Sequence, residues 1–313
     1  MPELSIIIVT WNSRADIERC LRSIAESGTR TPLEMIVVDN ASTDETVAFV
    51  REKHPGVERI VNETNNGFAA GNNRALNVAR GECILLLNPD THVHPGALDA
   101  LVSFMKQHPE VWACGPPVFN ADGSAQRTGV RFPGLWNMLV ESVFLDRVFP
   151  RTALFGSHKE LYRDESLPRS VDYLQGSCLL VRRRVVEQIG ILDEGFFMYF
   201  EETDWCCRMN EAGGIVMYVP GPGIIHYGGG TTGHYDEPRL IFYHRSLLRF
   251  FRKHHAAPQG VVLRLVLVFR SIIRIAVWSG YGLTHVSQRA AAASAVRGYM
   301  RVLLLLAGLR PER

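Results

Sequence analysis

The sequence lacks the marks of an exported, disulfide-bonded or membrane-spanning protein. Its six cysteines form neither a CxxC pair nor a regular spacing, so we expect reduced core cysteines and no zinc site. No basic segment followed by an apolar one precedes the first strand-like stretch, which begins at Leu4. No uninterrupted apolar run reaches the ~20 residues that a spanning helix needs. These absences predict a cytoplasmic protein.

Signatures of nucleotide cofactors are missing as well, and we find no internal repeat. The chain contains neither GxGxxG nor a phosphate loop ending in GK[ST], which argues against a nucleotide-dependent oxidoreductase. Its glycine-containing segment, residues 65–73, joins a predicted strand to a predicted helix. Glycines there would let the backbone approach an anionic ligand, or they would simply make a turn and a close helix contact.

Acidic residues are almost absent from the C-terminal quarter of the chain. Residues 239–313 contain 13 of the 34 Lys and Arg but one of the 32 Asp and Glu, which leaves 21 basic and 31 acidic residues before them. This asymmetry predicts an acidic body over residues 1–238 and a basic helical tail over residues 239–313. Such a tail suits nucleic acid, anionic lipid or the acidic body itself.

Helical spacing in the tail favours the lipid. Arg264, Arg270 and Arg274 fall within about a third of the helical wheel, with Leu, Val and Ile elsewhere. We expect a helix peripheral on the anionic inner face of the cell membrane, with these guanidinium groups among the headgroups, and no nucleic-acid partner. The alternative is a helical pair packed on the body or on a second copy, as a homo-oligomer.

The first 120 residues alternate between strand-like and helix-like patterns, which predicts an α/β fold with a mostly parallel central sheet flanked by helices. Strands are predicted at residues 4–10, 33–39, 57–61, 82–87, 111–116, 171–181 and 215–219, and helices at residues 13–26, 68–80, 95–107, 182–188 and 201–212. A further helix should begin at Ser42, with Glu45 completing a capping box. Residues 120–170 should be irregular.

Polar side chains stand at or just past the predicted strand ends, where parallel sheets bind ligands. They are Thr10, Asn12, Asp39 and Asp90. Asp39 is either a turn residue or an acceptor for the base or ribose of a nucleotide. Asp90 ends Asn88-Pro89-Asp90, and it is either a turn residue or a ligand for a hard cation on substrate phosphates. His226 follows an apolar pair and is either a core residue or a further metal ligand.

Three acids lie among aromatic residues, namely Glu201, Glu202 and Asp204. On a helix Glu201 and Asp204 share a face, while Glu202 points about 100° away. Crowded acids beside aromatics tend toward raised pKa values, which suits a general base. The alternative is a solvated helix start that the helix dipole favours.

These motifs occur together in a recognisable order, and the chain resembles family 2 glycosyltransferases of the GT-A fold. Within that family it is most similar to the rhamnosyltransferase-like bacterial branch that builds cell-surface polysaccharide. The resemblance covers roughly residues 3–255 and is carried by residues 9–12, 38–42, 65–73, 87–90, 176–183, 200–204 and 226.

The resemblance implies a role for each matching residue. Thr10, Asn12 and Asp39 would hold the nucleoside of the donor, and the rest of the donor pocket would come from Asn66, Gly67, Asn72 and Asn88. Asp90 would be the metal carboxylate of the DxD motif, with His226 as a further ligand of Mn²⁺ or Mg²⁺. Glu202 would be the catalytic base, and Gly176 and Ser177 would flank the acceptor.

Two departures from the family pattern affect the site. Asn88 stands where the first DxD carboxylate is usual, which lowers the negative charge of the metal site. Glu201-Glu202 stands where Glu-Asp is more common, so Glu201, Glu202 and Asp204 all remain candidates for the base.

The resemblance implies an inverting glycosyltransferase. It would use a nucleotide-sugar donor, dTDP-rhamnose or a UDP-sugar, and a glycan or polyprenyl-linked acceptor. The alternative is a non-catalytic protein that binds nucleotide sugars or membranes.

Overall fold

The computed structural model describes residues 1–156, 158, 165–228 and 237–309. Its strands are β1 (Leu4–Thr10), β2 (Leu33–Asp39), β3 (Glu58–Val61), β4 (Cys83–Leu87), β5 (Thr91–Val93), β6 (Val111–Gly115), β7 (Val118–Phe119), β8 (Ala125–Gln126), β9 (Gly129–Val130), β10 (Arg169–Ser170), β11 (Tyr173–Leu174), β12 (Cys178–Arg182), β13 (Ile215–Tyr218) and β14 (Ile224–His226). Its helices are α1 (Arg14–Glu26), α2 (Thr46–Lys53), α3 (Gly67–Leu76), α4 (Ala97–Gln107), α5 (Leu135–Ser142), α6 (Leu145–Val148), α7 (Arg183–Ile189), α8 (Glu201–Glu211), α9 (Glu237–His254), α10 (Ala257–Thr284) and α11 (Arg289–Leu306).

An eight-stranded sheet forms the centre of the α/β part, in the order β10-β13-β6-β12-β4-β1-β2-β3. Strand β1 lies between β2 and β4, parallel to both, and all seven of its residues are buried. Because successive side chains of a strand point to opposite faces, Ile6 and Ile8 join one apolar core while Ile7 and Val9 join the other. Helices cover both faces, which confirms the predicted α/β fold.

Strand β12 departs from the parallel pattern, since it runs antiparallel between β4 and β6. The prediction of one continuous strand over residues 171–181 is wrong at this point. The segment forms β11, which pairs with β9, and then β12, with residues 175–177 between them. The antiparallel direction places the start of β12 beside the end of β4, because Cys178 lies opposite Leu87.

A smaller sheet has the order β5-β14-β7-β8. Sequence analysis missed β14, since glycines on both sides of it favour a loop. The predicted irregular stretch from 120 to 170 also contains β8, β9, α5, α6 and β10.

The expected capping box at Ser42 is wrong as well. Helix α2 begins at Thr46, and the Ser42 hydroxyl donates to Asp39 Oδ1 rather than to the helix. The Thr46 amide N–H donates instead to Asp44 Oδ1 at 3.0 Å. Ser42 is thus held by the strand end that it follows.

Backbone contacts divide the chain into two units. The first comprises Met1–Phe132, Arg163–Phe197 and Glu201–Gly228, and the second comprises Pro133–Tyr162, Met198–Phe200 and Gly229–Arg313. The second unit therefore includes α5 and α6 besides the helices of the basic tail. The boundary at residue 238 stays a prediction.

Arg270 and Arg274 of α10 are directed into the second unit, whereas Arg264 is exposed. Arg270 pairs with the Glu141 carboxylate at 3.4 Å, and Arg274 donates to the Glu141 carbonyl at 3.1 Å and covers the Phe144 ring at 3.8 Å. Arg264 donates to the Leu306 carbonyl at 3.0 Å. The expectation that the guanidinium groups face lipid headgroups is wrong for Arg270 and Arg274, because Glu141 supplies their partners inside the unit. For the exposed Arg264 it stays a prediction.

Within the described part of the chain, every helix is too short or too polar to cross a bilayer.

Candidate functional site

Asp90 and His226 meet because β14 pairs with the strand that follows Asp90. His226 lies opposite Thr91 in the antiparallel pairing of β14 with β5. The amide N–H of Tyr227 donates to the Asp90 carbonyl at 2.9 Å. Nε2 of His226 then lies 3.2 Å from Asp90 Oδ1. The two side chains that the resemblance assigns to the metal therefore share one edge of the small sheet.

Gln126, which sequence analysis missed, fixes the imidazole of His226 from behind. Its amide nitrogen donates to the His226 carbonyl at 2.6 Å and to Asn120 Oδ1 at 2.8 Å. Its amide oxygen is thereby directed to His226 Nδ1, 3.0 Å away. An oxygen at that position accepts the Nδ1 proton, so that Nε2 would be able to bind a cation in place of the hydrogen that it shares with Asp90. No motif signals Gln126, since it comes from a two-residue strand.

The surroundings keep Asp90 ionised. Burial alone would raise the pKa of Asp90, but the hydrogen bond from His226 and the nearby charge of Arg19 lower the pKa below its ordinary value. A carboxylate with a low pKa remains an anion at neutral pH and is available to a cation.

Arg19 on α1 is a second residue that sequence analysis missed. Its guanidinium stacks over the Tyr227 ring at 3.8 Å and pairs with Asp16. Burial raises the pKa of Asp16, and the charge of Asp90 raises it further, although Arg19 opposes both. From sequence, Asp16 and Arg19 look like an ordinary pair on a helix surface. In the structure they bring a cation to the edge of the sheet where a diphosphate is expected.

The residues present fit a hard divalent cation. Two ligand atoms that each lie ~2.1 Å from an octahedral ion are about 3 Å apart, and Asp90 Oδ1 and His226 Nε2 have a similar separation. Asn88 Nδ2 lies 3.3 Å from the same Nε2. Asn88 occupies the position at which the DxD pattern has its first carboxylate. Asp90 and His226 can therefore hold Mn²⁺ or Mg²⁺ together with oxygen atoms of a substrate.

Glu202 lies in the first turn of α8 and keeps part of its side chain accessible. Burial raises the pKa of Glu202 to about 7, against the hydrogen bonds that it accepts from backbone N–H groups, including that of Gly176. Glu201 is buried, and its Oε2 has no hydrogen-bond partner. Burial and the charge of Glu202 raise the pKa of Glu201 well above its ordinary value. Glu202 is thus the carboxyl group that can exchange a proton with a ligand near neutral pH.

Asp204 has a different environment. Its side chain is fully buried, and Oδ2 accepts from Arg208 Nε at 2.9 Å. Arg208 also donates to the carbonyls of Ile189 and Ile191, so that it ties α8 to the segment that follows α7. A buried carboxylate that is held by an arginine serves packing of the helix better than proton transfer.

The base candidates and the metal candidates are linked by direct contacts. The Asn88 amide N–H donates to the Ser177 carbonyl at 3.1 Å, next to the paired strands β4 and β12. Gly176 precedes Ser177 and lies against Glu202, where an added Cβ would come 3.6 Å from Glu202 Cγ. Ser177 Oγ is buried without a hydrogen-bond partner, which leaves it available to a ligand. The structure thus brings Asp90 and Glu202 to the same end of the sheet, two contacts apart.

The predicted nucleoside residues lie at the adjoining ends of β1 and β2. Thr10 is opposite Asp39 in the parallel pairing, and its hydroxyl donates to Asp39 Oδ1 at 3.0 Å. The Asn12 amide N–H donates to Ser42 Oγ at 2.8 Å, and Asn12 Oδ1 accepts the Thr43 amide at 2.8 Å. The side chains of Thr10 and Asn12 therefore already hold the loops that follow β1 and β2. A nucleoside would meet a rigid surface here.

The start of α3 is shaped by a close backbone approach. Gly67 has φ of 90°, and an added Cβ would lie 2.2 Å from the Phe197 carbonyl oxygen, so only glycine fits. The Asn66 side chain accepts from Thr64 at 3.2 Å. Asn72 is buried, and its Oδ1 has no hydrogen-bond partner although its Nδ2 donates to the helix backbone. Asn72 thus keeps a buried acceptor without a hydrogen-bond partner, whereas Gly67 is required by the backbone.

The chain enters α8 through strained backbone. Tyr199 and Phe200 have φ of 68° and 69°, a region that costs a non-glycine residue roughly 1–3 kcal/mol. The Met198 carbonyl, one residue earlier, accepts from Ser246 Oγ at 2.8 Å. This turn directly precedes Glu201 and Glu202 in the sequence.

Comparison with known proteins gives matches over most of the chain. The family described as Glycosyl transferase family 2 matches residues 5–190. An N-acetylglucosaminyl-diphospho-decaprenol L-rhamnosyltransferase of Mycobacterium tuberculosis is 30% identical over 287 residues, which cover 87% of this chain and 92% of the relative. A low-salt glycan biosynthesis hexosyltransferase of Haloferax volcanii is 30% identical over 66% of this chain and 62% of the relative.

Solved structures share the fold at low sequence identity. A mannosyltransferase from Pyrobaculum calidifontis, in complex with GDP-Man and Mn²⁺, has a TM-score of 0.57 and 19% identity over 98% of this chain and 84% of its own. The enzyme GalNAc-T7 with UDP, GalNAc and Mn²⁺ has a TM-score of 0.55 and 17% identity over 72% of this chain and 44% of its own. Both are similar in architecture alone.

Proposed function

Because the chain belongs to glycosyl transferase family 2 and is a glycosyltransferase of GT-A fold, we propose that it is an inverting rhamnosyltransferase. In this proposal rhamnose moves from a nucleoside diphosphate to an acceptor hydroxyl. The observation that carries the proposal is the half-buried Glu202, whose pKa is about 7 and whose neighbour Gly176 leads to the Asp90 edge of the sheet.

Glu202 acts as the general base. Its carboxylate accepts the proton of the acceptor hydroxyl while that oxygen forms a bond to the anomeric carbon of the sugar. The bond from the anomeric carbon to the diphosphate oxygen breaks on the opposite face, so the configuration inverts. General-base assistance of this kind contributes typically ~10²–10⁴-fold.

Asp90 and His226 would hold the divalent cation, with Gln126 keeping the Nε2 lone pair of His226 directed to it. When bound, Mn²⁺ or Mg²⁺ offsets negative charge on the departing nucleoside diphosphate. Arg19 adds a positive charge at the same edge. Thr10, Asn12 and Asp39 bind the nucleoside, and Asn66, Gly67, Asn72 and Asn88 form the remaining donor pocket. Gly176 and Ser177 bind the acceptor.

The donor and acceptor are proposed from the mycobacterial relative, whose name specifies L-rhamnose and a diphospho-decaprenol acceptor. We propose dTDP-rhamnose as donor and a polyprenyl diphosphate-linked sugar as acceptor, in the synthesis of cell-surface polysaccharide. All six cysteines are free thiols, five of them buried, which supports a cytoplasmic location. A lipid-linked acceptor supports a position on the inner face of the cell membrane.

The test is a transfer assay with dTDP-rhamnose, Mn²⁺ and a short-chain lipid diphosphate acceptor, with the product identified by mass spectrometry. Glu202→Gln should lower turnover by about 10²–10⁴-fold and leave donor affinity nearly unchanged. Asp90→Ala should instead remove metal-dependent donor binding in calorimetry. Donor binding without transfer or donor hydrolysis by the unaltered protein would identify a non-catalytic binder.

A further inference from the structure

One long face of α10 is apolar and exposed. Val261, Leu265, Phe269, Ile272 and Leu283 are all exposed. At 100° per residue they fall within an arc of about 80°, and from the first to the last the helix rises about 33 Å. The arginines of α10 lie outside this arc. Such a continuous apolar stripe is larger than the isolated hydrophobic residues that are normal on a monomer surface.

Among the described residues of the second unit, the exposed charges are mainly cationic. Of the described carboxylates, Asp146 is buried, Glu141 pairs with Arg270, and Glu237 pairs with Arg301. Exposed cations stand on both sides of α10 in the sequence. They are Arg252 and Lys253 before the helix and Arg289 and Arg297 after it.

We propose that this apolar face of α10 lies in the interface of an anionic bilayer, parallel to the membrane plane. The occupant is lipid rather than a second copy of the chain, because a second copy would present the same excess of exposed cations, whereas an anionic membrane complements them. Anionic headgroups complement the exposed arginines, and acyl chains cover the stripe, as in amphipathic helices that sit in a membrane interface. The inference deepens the proposed function and rests on it in one respect, since a polyprenyl-linked acceptor is held at the same surface.

The test is flotation of the full chain with vesicles of phosphatidylcholine that contain phosphatidylglycerol, compared with phosphatidylcholine alone. Leu265→Glu combined with Ile272→Glu should weaken binding to the anionic vesicles at least about tenfold, because the change removes apolar area and adds like charge. Leu167→Glu is the matched control, since Leu167 is 60% exposed and Leu265 is 66% exposed. The control should float like the unaltered protein.

Three results would overturn the proposal. The unaltered chain does not float with anionic vesicles, or the double variant floats as well as the unaltered chain. In the third, sedimentation without lipid shows a dimer that the double variant abolishes, which assigns the face to a second copy. Thermal unfolding of the double variant should match that of the unaltered chain, because both positions are exposed.

Failure of the proposed glycosyltransferase function can be distinguished from failure of the membrane-docking proposal. Transfer to a water-soluble acceptor analogue needs no membrane, so the double variant should retain it. Loss of transfer in every protein, with the expected flotation, would leave the docking surface intact and remove the enzymatic assignment.

Discussion

Glu201 and Glu202 in the first unit and Glu141 in the second unit lie in opposite environments. In the first unit, Glu201 and Glu202 have raised pKa values, and among the described residues neither has an ion-pair partner. In the second unit, Glu141 is ion-paired with Arg270, and its carbonyl binds Arg274. A carboxyl group without a cation can change protonation and serve chemistry, whereas a paired one is fixed and serves packing. The same residue type therefore suits the proposed proton transfer at Glu202 and forms a structural joint at Glu141.

The largest expected effect tests the joint. Arg270→Leu leaves the Glu141 carboxylate buried without its partner, so the free energy of unfolding should fall by about 3 kcal/mol. Arg252→Leu, at an exposed position of the neighbouring helix, should change it by less than about 0.5 kcal/mol. Urea unfolding followed by circular dichroism gives both values. Equal stability of the two variants would mean that Arg270 faces solvent or lipid, as its sequence pattern alone suggests.

The next test concerns the unpaired carboxyl group of the first unit. A general base works when deprotonated, and the pKa of Glu202 is about 7. Turnover should therefore be level above pH 7 and fall about tenfold per pH unit below it. The measurement is turnover at saturating donor and Mn²⁺ from pH 5 to pH 9. A rate that stays level down to pH 5 would show that a carboxylate with an ordinary pKa, such as a paired one, accepts the proton.

Sequence periodicity predicted the sheet well because the signal there is redundant. β1 and β2 were predicted residue for residue, since each contains a buried run of apolar residues that ends at a polar residue. The same runs placed Thr10, Asp39 and Asp90 at strand ends. Features that depend on contacts between distant residues could not be predicted from the sequence. β14 has only three residues, and Gln126 lies 100 positions from the histidine that it orients.

The tail shows the opposite limit. Its amphipathic pattern correctly grouped Arg264, Arg270 and Arg274 on one face, but a pattern of period 3.6 does not say which face is inside. That choice was made by Glu141, more than a hundred residues earlier, which offers a partner for the cations. A polar face of a helix can be buried when the interior supplies hydrogen-bond or ion-pair partners for it.

A third expected effect concerns Gln126, the uncharged residue of the small sheet that contacts His226. Gln126→Leu removes the acceptor that holds the His226 proton on Nδ1, so Mn²⁺ affinity should fall by about 10–100-fold. Gln126→Glu retains an oxygen at this position and should restore part of the affinity. Electron paramagnetic resonance of free Mn²⁺ measures it without any turnover. An unchanged affinity for the leucine variant would show that His226 is oriented by other contacts or is not a ligand.

The smallest expected effect concerns an exposed carboxylate, a case between the unpaired and the paired ones. Asp44 accepts the Thr46 amide at the start of α2 and the Arg14 amide at the start of α1, at 3.0 Å and 3.2 Å. Burial alone would raise the pKa of Asp44, but the hydrogen bonds from Thr46 and Arg14 lower it. Its stabilising contribution is therefore present at neutral pH and lost as the pH falls below the ordinary value for Asp. Asp44→Ala should lower the free energy of unfolding by about 1 kcal/mol at pH 7 and by less at pH 3. Glu45→Ala, which removes the acid of the capping box that the sequence pattern suggests, should leave it nearly unchanged, and the opposite order of the two variants would restore the cap to Ser42 and Glu45.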